Sequence, residues 1–157
     1  TGINMAAETI CELAQHPNII GVKEASCVIE QCMEIARDKP DDFLLISGDD
    51  VQAVPIISIG GVGVMSVIAN AFPARFSGII EAALQGDFTF AQKELGHFLR
   101  IDPLLYEEGN PVGVKNIMEI LGLISAEVRL PLMRASDDLS ERQRAVLQRD
   151  GLLELVA

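Results

Sequence analysis

The chain has 157 residues, of which 49% are hydrophobic, and its 12 basic against 23 acidic residues give a net charge of −11. This composition supports a hydrophobic core, and the acidic balance disfavours nucleic acid and anionic membrane surfaces, because both require clustered lysine and arginine. No apolar run reaches the roughly 18 residues that a membrane helix needs. We therefore expect a soluble, cytoplasmic globular protein, and the start at Thr1-Gly2-Ile3 suggests that a longer chain precedes it.

Helical and strand patterns alternate through the first half of the chain. The predicted order is a helix over residues 6–15, a strand over 19–22, a helix from 29 that ends in the cluster 38–42, a strand over 43–47, a helix over 49–60, a strand over 63–67 and a helix over 73–86. Asp49 and Gln52 have capping-box spacing, Pro73 suits a first helical position, and Gly86 suits a helix stop. This alternation indicates parallel strands joined by right-handed crossovers.

Beyond Gly86 only helical patterns remain. The sequence predicts an amphipathic stretch from Asp87 to about Tyr106 that Pro103 kinks, and helices over 111–121 and 140–149. Three parallel strands cannot close a barrel, and a complete eight-stranded barrel takes about 250 residues. We therefore predict an α/β fold: residues 1–86 form the C-terminal portion of a TIM (β/α)8 barrel, and residues 87–157 form an all-helical domain.

The cysteines and histidines show no metal or disulfide pattern. Cys11, Cys27 and Cys32 are an odd number without CxxC spacing, which is typical of reduced thiols in a cytosolic protein. His16 and His97 have no partner at metal-ligand spacing. The sequence therefore predicts no metal site.

Lys23 closes the apolar run that begins at Asn18. Five uncharged residues precede it, as in a strand buried on both faces. An ammonium at the tip of such a strand would lose hydration, which favours the neutral amine that attacks a carbonyl and forms a Schiff base. The alternative is a lysine that reaches solvent or pairs with Glu24.

Functional groups of parallel α/β folds gather where the strands end. The predicted strands end at Lys23, at the turn Ser47–Asp50 and at Met65-Ser66. Gly48 would let a substrate approach the backbone, or it only allows the backbone to turn without steric cost. The two aspartates of that turn could bind a metal or a substrate ammonium, but capping of the next helix is the favoured interpretation. The joint placement favours the Schiff-base interpretation of Lys23.

Three strings carry a resemblance to a known family. They are Gly21-Val22-Lys23-Glu24-Ala25-Ser26, Ser47-Gly48-Asp49-Asp50, and Gly63-Val64-Met65-Ser66-Val67 followed by Asn70. Together they resemble the carboxyl-terminal half of the dihydrodipicolinate synthase family. Further motifs extend the resemblance over essentially the whole chain: Thr1-Gly2, Asn110-Pro111 with Val114-Lys115, and Arg129-Leu130-Pro131-Leu132. The lysine strand is shared by the wider class of pyruvate-dependent class I lyases and aldolases.

The resemblance implies a function. Lys23 would form an imine with pyruvate, which would condense as an enamine with aspartate semialdehyde to 4-hydroxy-tetrahydrodipicolinate in lysine biosynthesis. It implies no cofactor besides that covalent imine, and a homotetramer. Gly48 matches the glycine near the second substrate, and Met65 matches the apolar residue, usually isoleucine, that contacts pyruvate. Cys27 stands where the family usually has glycine.

The resemblance also implies missing groups. The family's proton-relay tyrosines and threonine, and the threonines that hold the pyruvate carboxylate, lie upstream of this segment, and Tyr106 is no substitute for them. We therefore expect the chain alone to have little or no activity. One alternative is a retro-aldol lyase of the same family that acts on a sugar acid or hydroxy-oxo acid. Another is a non-catalytic half-barrel module whose partner chain supplies the missing N-terminal barrel half.

Overall fold

The computed structural model describes residues 2–153. Thr1, and residues 154–157 of the predicted helical domain, lie outside the described residues. The chain divides into two compact units, one formed by the residues up to Ser66 with Gly78–Ala91, the other by Val67–Ser77 with the residues from Gln92 onward. The predicted division into 1–86 and 87–157 stays a prediction.

The predicted alternation of helices and strands, followed by helices alone, is confirmed. The elements in chain order are α1 (Ala7–Leu13), β1 (Gly21–Glu24), α2 (Ile29–Asp38), β2 (Leu44–Ser47), α3 (Ala53–Ser58), β3 (Gly63–Val64), a 3-10 turn (Ile68–Asn70), α4 (Pro73–Leu84), α5 (Phe88–Leu95), α6 (Asp102–Tyr106), α7 (Val112–Ile120) and α8 (Asp137–Arg149). Pro73 begins α4 as predicted, and Gly86 follows its end with a φ of 86°. In the part of the chain that is described, no helix is both long and apolar enough to cross a bilayer.

The three strands form one parallel sheet in the order β1-β2-β3. Its register pairs Lys23 with Ile46 and Ile46 with Gly63. Within residues 2–153, β1 pairs only with β2, so it is an edge strand. The strand begins at Gly21, two residues later than predicted, because its limits follow its pairing with β2 rather than its apolar composition. Lys23 therefore lies inside the strand, not after it.

The prediction that Pro103 kinks the amphipathic stretch from Asp87 to about Tyr106 was wrong. Two helices occupy this stretch, and the break between them begins at Gly96. Pro103 lies in the first turn of α6. Backbone N–H groups in a first turn have no intrahelical acceptor, so a proline there costs the helix no hydrogen bond. Helix α8 begins three residues before the predicted start because Ser136 caps it: its Oγ accepts a hydrogen bond from the backbone N–H of Leu139 at 3.1 Å.

The core of the first unit lies between α1, α2, α3 and the sheet. Its buried members are Ala7, Ile10, Ala14, Cys32, Ile35, Phe43, Leu45 and Ile56. Val22 of β1 packs against this cluster. The helices therefore cover one face of the sheet, the face to which Val22 and Leu45 point.

The core of the second unit combines aromatic packing with a buried amide network. Phe98 contacts Phe72 and Phe76 edge-on, with centroid distances of 5.5 and 5.9 Å. Gln143 is fully buried, and its side-chain amide donates to Leu104 O at 2.9 Å and to Gly113 O at 3.2 Å. These bonds join α8 to the α6–α7 pair.

We expect Gly113→Ala to destabilise the protein. A Cβ at Gly113 would lie 2.6 Å from Leu104 O and closer still to Leu105 O, where backbone cannot yield. The loss in unfolding free energy should be about 1–3 kcal/mol, as for overpacked cores. Urea unfolding followed by far-UV circular dichroism measures it. The matched control is Gly78→Ala in α4, whose Cβ meets nothing within 4 Å; equal stability of the two variants would contradict the prediction.

We also expect the cysteines to differ in reactivity. Cys32 is 1% exposed, and burial, with a smaller contribution from the charge of Glu24, raises its pKa to about 11, whereas Cys27 is exposed. At about pH 8 the Cys32 thiol stays protonated and covered, and only thiolates react. A maleimide should therefore modify Cys27 in the folded protein and Cys32 only after unfolding, as read by peptide mass spectrometry. Equally fast labelling of both in native buffer would refute this.

Candidate functional site

Neighbouring side chains of β1 point to opposite faces of the sheet. Val22 and the buried Glu24 lie on the face covered by the helices, whereas Lys23 lies on the other face and is exposed. Paired residues of parallel strands share a face, so Ile46 and Gly63 lie on the Lys23 side. Lys23 is therefore adjacent in sequence to two core-facing residues, but the sheet lies between its side chain and the core.

Gly48 and Met65 lie on the same face as Lys23, because they follow its paired residues by two positions. The backbone confirms this placement: Gly48 N–H donates to Glu24 O at 2.6 Å, and Met65 N–H donates to Ser47 O at 2.9 Å. Met65 is 54% exposed. The three residues singled out by sequence thus stand at the carboxyl ends of three adjacent strands, on one face. Their roles in substrate binding and catalysis stay a prediction.

Gly48 lies directly against the Lys23 side chain. A Cβ at this position would be 2.9 Å from Lys23 Cε and 2.6 Å from Ala25 Cβ, closer than carbon atoms pack. The glycine is therefore required by a close approach of the two strand ends. Any larger residue would displace the lysine or the loop that follows it.

Lys23 does not pair with its neighbour Glu24. The Glu24 carboxylate instead accepts hydrogen bonds from Ser26 N, from Ser26 Oγ at 3.1 Å and from Gln31 Nε2 at 3.0 Å. A cleft of about 570 Å³ opens beside the lysine, and its lining includes Asn4. The expectation of a lysine on a strand buried on both faces was wrong for the described residues, since the Lys23 side chain on one face of β1 is exposed. The lysine is exposed and borders a cleft.

Asp49 makes the short-range hydrogen bond that its capping-box spacing predicts. Its Oδ1 accepts from the backbone N–H of Gln52 at 2.9 Å, although α3 begins only at Ala53. Asp50 is 1% exposed. Across residues 2–153, no group of three or more His, Cys, Asp or Glu side chains is arranged to hold a metal ion. The Asp49 bond closes the turn before α3 and does not cap the helix, because the N-cap residue of α3 is Gln52, which makes no side-chain capping hydrogen bond.

Cys27 has a left-handed backbone, with a φ of 62°, and is the one non-glycine residue with a positive φ in the described part of the chain. This explains physically why glycine suits the position, since glycine adopts positive φ without steric cost. Gln52 Nε2 donates to Cys27 O at 3.0 Å, and Cys27 Sγ donates to Asp49 Oδ2 at 3.4 Å. Sequence reasoning missed these contacts, because they join residues more than 20 positions apart.

Comparison with known proteins places the chain in a family. The model of the dihydrodipicolinate synthetase family matches residues 1–150. A 4-hydroxy-tetrahydrodipicolinate synthase of Cytophaga hutchinsonii is 52% identical over 139 residues, which cover 88% of this chain and 47% of that protein. One of Phocaeicola vulgatus is 47% identical over 148 residues, covering 94% and 50%. The chain thus spans about half the length of the curated relatives it matches.

Solved structures agree with this match. The dihydrodipicolinate synthase of Thermotoga maritima superposes with a TM-score of 0.92 at 31% identity, covering 98% of this chain and 53% of that one. The half-length match, together with three parallel strands followed by helices, confirms the predicted fold class, the C-terminal portion of a TIM barrel with a helical appendage. Because the family model covers nearly the whole sequence, the chain belongs to the dihydrodipicolinate synthetase family.

Proposed function

We propose that the protein is a class I lyase that forms a Schiff base between Lys23 and pyruvate. The enamine derived from it then condenses with aspartate semialdehyde to give 4-hydroxy-tetrahydrodipicolinate. The observation that carries the proposal is an exposed lysine near the carboxyl end of β1, on the sheet face that it shares with Gly48 and Met65, in a chain of this family. Two relatives bear the name of this synthase, and a solved relative from Acinetobacter baumannii is complexed with pyruvate.

The proposed chemistry needs only an amine and proton transfers. Lys23 Nζ attacks the keto carbon of pyruvate, and the carbonyl oxygen leaves as water once it is protonated. The iminium then accepts the electron pair released when a methyl proton departs, which gives the enamine. The enamine carbon attacks the aldehyde carbon of aspartate semialdehyde, whose oxygen takes a proton and becomes the 4-hydroxyl group. The amino group of the semialdehyde then attacks the iminium carbon, closes the ring as a cyclic imine and expels the Lys23 amine. No cofactor is required besides the covalent imine.

Gly48 and Met65 have supporting roles in this proposal. Gly48 lets Lys23 Cε lie directly against the backbone next to the proposed position of the second substrate, and the exposed thioether of Met65 offers an apolar contact to bound pyruvate. We propose further that the protein works in the cytoplasm as a homotetramer, as the resemblance implies. Light scattering on the protein at its natural length measures the molar mass of the assembly.

The first test is reductive trapping of the imine. The protein at its natural length is incubated with pyruvate and borohydride, digested and analysed by mass spectrometry. The peptide that contains Lys23 should gain the mass of the reduced pyruvate adduct, because borohydride reduces the iminium to a stable secondary amine. Lys39, Lys93 and Lys115 are internal controls in the same digest. Lys23→Arg should abolish the adduct, because arginine keeps the charge but has no nucleophilic amine.

Absence of an adduct at Lys23, or equal labelling of the control lysines, would refute the proposal. The second substrate is tested separately with aspartate semialdehyde and a panel of sugar acids and hydroxy-oxo acids. Turnover of the semialdehyde supports the synthase. Turnover of a panel member alone, with Lys23 still trapped, would replace the synthase with a retro-aldol lyase.

We expect Gly48→Ala to slow adduct formation about 10- to 100-fold, because small displacements of a reacting group have effects of this size. The added Cβ would meet Lys23 Cε at 2.9 Å and push the lysine from its position. The time course of borohydride trapping measures the rate. Gly63→Ala is the matched control, since Gly63 lies on the same face of the sheet and its Cβ would meet nothing within 4 Å. The prediction fails if the two variants trap pyruvate equally fast.

A further inference from the structure

Three side chains tie the loop after β1 to the loop after β2. We call Cys27, Asp49 and Gln52 the rim clasp. Gln52 Nε2 donates to Cys27 O at 3.0 Å, Cys27 Sγ donates to Asp49 Oδ2 at 3.4 Å, and Gln52 N–H donates to Asp49 Oδ1 at 2.9 Å. These contacts form a closed ring. Each of the two loops is thus fixed by the other.

The rim clasp holds a backbone conformation that its central residue does not favour. Cys27 has a φ of 62°, and the left-handed region costs a residue with a Cβ roughly 1–2 kcal/mol. The hydrogen bonds to its carbonyl and from its thiol compensate for this cost. A glycine would adopt the conformation freely, but it would make no contact with Asp49. The thiol is thus an additional tie between the loops.

The turn that the rim clasp holds follows Lys23 directly. Ala25 Cβ lies close to Gly48, which in turn lies against Lys23 Cε. On the opposite side of the sheet, Glu24 holds the same turn through Ser26, whose Oγ accepts from Val28 N at 3.1 Å. The turn is therefore fixed from the core side by Glu24 and from the rim side by the clasp.

We propose that Cys27 and Gln52, acting through Asp49 and the turn after β1, are positioning residues for the Schiff-base reaction at Lys23. This inference rests on the proposed function of Lys23. The rim clasp keeps the two loops together, so Lys23 Cε stays against Gly48 and its amine has a restricted range of positions. Neither residue needs to touch substrate. Opening the clasp lowers the rate at which bound pyruvate is attacked and leaves pyruvate binding unchanged.

The test separates positioning from a merely structural role, because one substitution should move stability and rate in opposite directions. Cys27→Gly removes the thiol tie and also relieves the left-handed strain. It should therefore melt at or above the temperature of the parent, while its maximal rate of borohydride-trapped adduct formation falls about threefold or more. The pyruvate concentration that gives half the maximal rate should not change.

Three further variants complete the experiment, all made in the protein at its natural length. Cys27→Ser restores a donor to Asp49 and should recover most of the parent rate. Gln52→Leu keeps the size of the side chain but removes the donor to Cys27 O, so it should also slow trapping about threefold or more. Cys11→Ala is the matched control, since Cys11 lies on α1, outside the rim clasp, and its loss should leave the trapping rate unchanged.

The possible outcomes distinguish a positioning role of the rim clasp from a merely structural one. Parent-like trapping rates in both Cys27→Gly and Gln52→Leu would overturn the positioning role while leaving Lys23 as the nucleophile. Rates that fall only in step with melting temperature would show a structural role and would overturn it as well. A parent protein that gives no adduct at Lys23 would overturn both this inference and the proposed function.

Discussion

The register between β1 and β2 is the constraint on which the rest of the site depends. Val22 and Leu45 are paired and both point into the core, which places Lys23 on the opposite face. A slip of one residue would bring the Lys23 ammonium into the cluster around Ile35 and expose Val22. Burial of an unpaired ammonium costs several kcal/mol, more than the burial of one valine contributes. The apolar core therefore fixes the face on which the lysine stands, and the positions of Gly48 and Met65 follow.

Glu24 forms no ion pair with Lys23, because the Glu24 carboxylate accepts hydrogen bonds from other residues. Adjacent residues of opposite charge invite an ion pair, yet the two side chains lie on opposite faces. The buried carboxylate accepts three hydrogen bonds, from the backbone and hydroxyl of Ser26 and from Gln31, which also donates to Met5 O at 3.2 Å. Hydrogen bonds to a charged group contribute about 1.5–3 kcal/mol each, so three of them are comparable to the desolvation cost of one carboxylate. A carboxylate satisfied in this way needs no lysine.

The sequence predicted what local patterns determine, and it missed what distant pairing determines. Apolar periodicity located the alternating elements, and the Ser47–Asp50 turn marked the end of β2. The limits of β1 were displaced because strand ends depend on the partner strand, and Pro103 was misread because a proline in a first helical turn looks the same in sequence as one that kinks a helix. The bond from Gln52 to Cys27 spans 25 residues and has no local signature. The residue types of the candidate site were therefore visible in sequence, whereas the contacts that hold them were not.

The turn after β1 is held by stronger hydrogen bonds on its core side than on its rim side, and this difference determines which side of the turn can move. On the core side, a charged acceptor meets backbone and side-chain donors in a buried setting, where hydrogen bonds are strong. On the rim side, the exposed Cys27 contributes a thiol, which is a weak donor, and its left-handed backbone opposes the contact. The hydrogen bond from the Gln52 side-chain amide to Cys27 O must therefore contribute most of the stabilisation on the rim side. Because the core side cannot move without exposing Glu24, any change in loop position at this edge of the sheet has to begin at Cys27 and Gln52.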